Sequence, residues 1–71
     1  MITLESIERL PPGDYLREAF ITLRFHGFTQ SSKKPMYVVA VKREQPAFKA
    51  SKTAYSPSQA LLIVEGFREK L

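Results

Sequence analysis

The sequence predicts a two-layer α+β domain in the order α-β-β-β-α: a three-stranded antiparallel sheet with a C-terminal helix packed on one face. Three observations predict it. Residues 36–43 form a β-branched and aromatic block, and residues 47–55 alternate apolar with polar. Residues 56–71 carry an apolar stripe at helical spacing behind a capping residue. Only short turn-like segments separate these blocks, and consecutive strands so joined pair antiparallel with their helices on one face.

The elements follow in order. Thr3 to Leu10 reads as a short helix, with Thr3 as cap and Leu4, Ile7 and Leu10 recurring every three residues. Pro11-Pro12-Gly13 ends it, because proline lacks a donor and forces its predecessor out of the α region. Tyr15 to Phe28 fits two patterns. As a strand, Ala19, Ile21, Leu23 and Phe25 alternate with Phe20, Thr22, Arg24 and His26. As a helix, Leu16, Ala19, Phe20 and Leu23 make a stripe that Gly27 could close. The strand, from about Arg17, is preferred: a helix would set Ile21 and Phe25 on its far side, and Ile, Thr and Phe favour strands.

Thr29 to Pro35 is polar and reads as a mobile hairpin loop. Met36 to Arg43, with Tyr37, Val38, Val39 and Val41, is the clearest strand. Gln45-Pro46 makes a turn, and Ala47 to Tyr55 sets Phe48, Ala50 and Ala54 on one side against Lys49, Ser51, Thr53 and Tyr55. Ser56 then caps the last helix, Pro57 suits its first position and Gln59 completes a capping box. Ala60, Ile63, Val64, Phe67 and Leu71 form its apolar stripe. Glu65 is placed to pair with Arg68, and Gly66 suggests a close approach to the sheet. The order is that of double-stranded RNA-binding domains. Ser56-Pro57-Ser58-Gln59 stands where those domains carry a Lys-Lys pair, so the chain is assigned to no family.

Composition bounds the chemistry. Seventy-one residues make one small domain of modest expected stability, and 44% apolar content favours a folded globule over disorder. Without cysteine there is no disulfide and no thiolate site, and a single histidine leaves no His-pair metal motif. No cofactor is expected. The staple left to so small a core is a partner, a homodimer being one form of it. Met1 to Leu10 has neither a basic start nor a long apolar run, and Ala60 to Val64 is far short of the ~20 residues that span a bilayer. A cytoplasmic protein with no membrane partner is expected.

Charge gives the functional lead. Between Ser31 and Tyr55 lie six cations (Lys33, Lys34, Lys42, Arg43, Lys49, Lys52) against Glu44 alone, whereas the rest holds five cations and six anions. Such footprints most often meet polyanions. By alternation the outer sheet face would show Phe20, Thr22, Arg24 and His26, then Met36, Val38, Ala40 and Lys42, then Lys49, Ser51, Thr53 and Tyr55. Cations, hydroxyls and aromatics on an open sheet resemble a platform for nucleic acid.

The candidate contacts are therefore Arg24, His26, Lys33, Lys34, Lys42, Lys49 and Tyr55, with the two loop lysines as point-charge phosphate contacts. A plain solvated face is the competing reading, since charged outer faces are normal for half-buried sheets. A third reading is a small protein-binding module, an accessory or inhibitor protein, that meets an acidic protein surface through the same face, centred on Phe20, Met36, Val38 and Ala40. No enzyme is expected: His26 lacks an activated nucleophile and an orienting carboxylate, and no glycine-rich phosphate loop exists.

Overall fold

The computed structural model describes residues 1–71. The Thr3 hydroxyl accepts the Ser6 N–H at 3.2 Å and the Ser6 hydroxyl accepts the Thr3 N–H at 2.9 Å, a reciprocal box that starts α1 (Leu4–Glu8). The helix ends sooner than predicted; Ile7 and Leu10 reach the core, and Leu4 is exposed.

The stretch that fitted two patterns is neither a helix nor one strand. It is a hairpin of β1 (Tyr15–Glu18) and β2 (Ile21–Phe28), joined through Ala19 and Phe20. With β3 (Pro35–Glu44) and β4 (Ala47–Ala54) the sheet has four antiparallel strands in the order β1-β2-β3-β4. The three-stranded prediction is thereby corrected, and with it the shared element order with double-stranded RNA-binding domains. The extra turn is hard to see in the sequence because Ala19, at φ 51, occupies a left-handed position normally taken by Gly, Asn or Asp. Ala19 belongs to this exposed turn and not to the inner face.

The rest of the inner face is as alternation predicts. Ile21, Leu23 and Phe25 of β2 and Tyr37, Val39 and Val41 of β3 are buried, with Ala54 beside them and Phe48 and Ala50 half-buried. Phe25 stacks on Tyr37 at 4.7 Å between ring centroids. Burial pushes the Tyr37 phenol up, and the Glu8 charge adds to the effect. The β2–β3 connection is a hydrogen-bonded turn. The Thr29 N–H donates to the Lys34 carbonyl at 2.9 Å, and the Thr29 hydroxyl lies 2.6 Å from that of Ser32. The β3–β4 turn lies at Gln45-Pro46, whose peptide bond is cis.

Helix α2 (Pro57–Lys70) covers the inner face through Ala60, Val64 and Phe67, all buried. Leu71, the last residue of the predicted stripe, is exposed. Ser56 caps the helix by accepting the Gln59 N–H at 3.1 Å. The Gln59 side chain reaches back to the Tyr55 N–H at 3.0 Å, one residue before the cap, so the predicted box closes on a neighbouring donor. Two further expectations are corrected here. A Cβ built on Gly66 meets nothing within 4 Å, so close approach to the sheet does not account for this glycine. Arg68 pairs with Glu18 and not with Glu65: its guanidinium donates to both Glu18 oxygens at 2.6 and 2.7 Å and to the Ile2 carbonyl at 2.6 Å. No helix is long and apolar enough to cross a membrane.

Candidate nucleic-acid interface

Both helices lie away from the outer sheet face: α2 packs across the inner face and α1 packs on α2. The register resolves the open face into rows of side chains across the strands. One row is Tyr15–Arg24–Val38–Thr53 and the next is Arg17–Thr22–Ala40–Ser51. The third sets Lys42 directly opposite Lys49, and beside it the Phe20 carbonyl accepts the Lys42 N–H at 3.1 Å. Rows lie two residues apart, about 6.8 Å at the strand rise of ~3.4 Å per residue.

Each row holds a cation, and none of the three holds an anion. Like charges directly opposite on a sheet are destabilising, and Lys42 and Lys49 are such a pair. The molecule has only two ion pairs, Arg9–Glu5 and Arg68–Glu18, so Arg17, Arg24, Lys42 and Lys49 all lack an anionic partner. The one acid on this face, Glu44, is exposed one row beyond Lys42. Arg17, Phe20, Thr22, Ala40, Lys42 and Glu44 line an open depression, with half of the Phe20 ring residue exposed at its rim. At the other end the Arg24 guanidinium lies over the Tyr15 ring, 5.4 Å from its centroid.

The structure brings together three of the residues singled out in the sequence: Arg24, Lys42 and Lys49. The others lie elsewhere. His26 is the unpaired extra residue of a bulge between Phe25 and Gly27, and it is exposed. Lys33 and Lys34 sit in the turn before β3, and from Pro35 to Lys42 the strand runs about 23 Å at ~3.3 Å per residue. Tyr55 is exposed just past the end of β4, six residues and about 20 Å along the chain from Lys49. Of the remaining cations in the basic segment, Arg43 bonds the Pro46 and Leu71 carbonyls, and Lys52 lies opposite the buried Val39, on the helix side.

Arg17 and Tyr15 are the residues that the sequence reading misses. Along a single strand Arg17 shares the parity of Ile21 and would face inward. The turn at Ala19 sets it opposite Thr22, on the outer face. No glycine marks that turn, so only the period-two pattern of Leu16 and Glu18 against Tyr15 and Arg17 could have hinted at it.

No group of three or more His, Cys, Asp or Glu side chains is placed to hold a metal ion. Comparison with family models, curated proteins and solved structures gives no match for the chain.

Proposed function

We propose that this protein binds nucleic acid, without catalysis, through the outer face of its sheet, mainly by contact with phosphates. The observation that carries the reading is the set of four unpaired cations on one uncovered face, with Lys42 and Lys49 placed directly opposite each other. A solvated face gains solubility equally well from mixed charges, and nothing in folding favours setting two lysines side by side. A polyanion removes that repulsion. The hydrogen-bonded turn bearing Lys33 and Lys34 supplies a second, remote contact on the same reading.

The competing partner is an acidic protein surface. It would need a broad apolar centre, yet Met36, Val38 and Ala40 run as a single half-buried line down β3 between cations, with the half-exposed Phe20 beside its Ala40 end alone. The shape of the face therefore favours nucleic acid.

A salt titration tests this. For a mixed-sequence oligonucleotide, log K should fall with log salt by about 0.7–0.9 per contacted phosphate. Arg17→Ala, Lys42→Ala and Lys49→Ala should each flatten the slope by roughly one such step, with the melting temperature unchanged for Arg17→Ala and raised for the two lysine variants, which lose the repulsion between Lys42 and Lys49. Absence of binding to any nucleic acid at low salt, where surface charge acts most strongly, would refute the proposal. Capture of one acidic protein, lost on Val38→Glu in a folded variant, would establish the protein-binding alternative.

A further inference from the structure

We infer that the strand held on this face is single-stranded, lies along the β-strands and contacts the protein over about three phosphates. The inference rests on the nucleic-acid reading and names the form of the ligand.

The cations set the direction. Taken along the sheet, Arg24, Arg17 and the Lys42–Lys49 pair occupy three successive rows on β2, β1 and β3–β4. The step between rows, about 6.8 Å, is comparable to the phosphate repeat of an extended single strand. Taken across the sheet, only the Lys42–Lys49 row offers two cations side by side. The cations are not in line: a chain running down β2 passes over Arg24 and lies one strand, about 4.8 Å, from Arg17 on β1 and from Lys42 on β3, with Lys49 one strand farther, so it meets a cation at each row through the reach of these long side chains.

The aromatics set the form. Phe20 lies at one end of this track and Tyr15 at the other, each about half exposed. Tyr15 is joined by the guanidinium plane of Arg24, and bases stack on both aromatic rings and guanidinium planes. Such rings gain nothing from a duplex, whose bases already stack on one another. The bases of a duplex are read by a helix or a β-ribbon that enters a groove; no helix projects from this face, and a duplex lying flat on it would offer phosphates alone. Hydroxyls at Thr22, Ser51 and Thr53 lie beside the track and can bond sugar or base edges without imposing a sequence.

Fluorescence anisotropy with labelled single strands of increasing length, and with the blunt duplex of the same sequence, tests the inference. Affinity should rise up to about three or four nucleotides, level off, and rise again only for strands long enough to reach Lys33 and Lys34, with a salt slope near 2–3 for the short strands. Phe20→Ala and Tyr15→Ala should each weaken single-strand binding about tenfold or more, at unchanged melting temperature. If the duplex binds as tightly as the single strand and loses affinity in Lys42→Ala, the inference is overturned and the nucleic-acid reading stands. If single strands bind but both aromatic variants bind equally well, the stacking track is likewise overturned. If neither form binds at low salt, both proposals fall together.

Discussion

Glu18 joins three segments through one side chain. It accepts two bonds from Arg68 on α2 and, at 2.7 Å, the N–H of Ile2, while Arg68 donates to the Ile2 carbonyl. The Arg68 guanidinium, then the Ile2 N–H, hold the Glu18 carboxyl at about 2, down from an ordinary 4.5. A depressed carboxylate favours the folded state above its unfolded value, and that contribution disappears as pH falls through the folded one. Stability should therefore drop between about pH 4.5 and pH 2. Glu18→Gln should remove this part of the drop and cost about 1.5–3 kcal/mol near neutrality, the range for hydrogen bonds to charged groups. Melting curves across that window check it; an unchanged acid limb in the variant would show that the pair contributes little. Two neighbours on α2 should behave oppositely. Phe67, 3% exposed, should cost about 3–5 kcal/mol as Ala. Gly66→Ala should stabilise by up to about 1 kcal/mol, because the added methyl meets nothing and alanine is the better helix former. Urea unfolding of both variants decides, and a destabilised Gly66→Ala would mean that the methyl meets an obstacle.

Turns and caps decide the elements. The β1–β2 hairpin turns on two residues, and Ala19 takes its left-handed position without a glycine. The left-handed region costs an L-residue roughly 1–2 kcal/mol, part of which Gly returns as extra unfolded-state entropy. Ala19→Gly is thus expected to stabilise by about 0.5–1 kcal/mol, measurable by denaturant midpoint. A loss of stability instead would mean that the Ala19 methyl contributes packing. The α2 cap gives a second comparison. Ser56→Ala should cost about 1 kcal/mol through the orphaned Gln59 N–H. Ser32→Ala removes one exposed hydroxyl–hydroxyl contact in a hydrogen-bonded turn and should cost less, about 0.5 kcal/mol. Equal losses would show that the β2–β3 turn matters as much to the fold as the cap of its longest helix.

Across the whole molecule, the basic surface is assembled from distant parts of the chain. Arg17 and Arg24 come from the portion that is near neutral in sequence, and Lys42 and Lys49 from the basic centre. Lys33 and Lys34 lie at the far end of the sheet, about 23 Å of strand from Lys42. On the proposed nucleic-acid reading, two separable contacts are expected. Changing Lys33 and Lys34 together to Ala should leave a trinucleotide unaffected, and should flatten the salt slope by about 1–2 for a strand long enough to reach the turn. Comparing slopes for short and long oligonucleotides checks this. An equal effect on both lengths would place the turn lysines and the sheet cations in one site.

The parts of the fold whose signals are local were legible along the chain. β3 and β4 are β-rich blocks bounded by turn residues, Thr3 and Ser56 are capping residues at the head of apolar stripes, and the inner faces of β2 and β3 follow from a period of two. Arg24, Lys42 and Lys49 were legible as outer-face cations for the same reason, since alternation holds as long as a strand is unbroken. The tertiary structure alone decided the rest. A left-handed alanine turned one expected strand into a hairpin, reversed the side on which Arg17 lies and brought Tyr15 beside Arg24. A bulge left His26 unpaired. Glu18 took Arg68 away from its helical neighbour Glu65, because the chain's start, β1 and α2 converge there. The Glu18–Arg68 bond turns on residues far apart in the chain, and the Ala19 turn on a backbone conformation that its residue type does not announce, so local pattern and charge density encode neither.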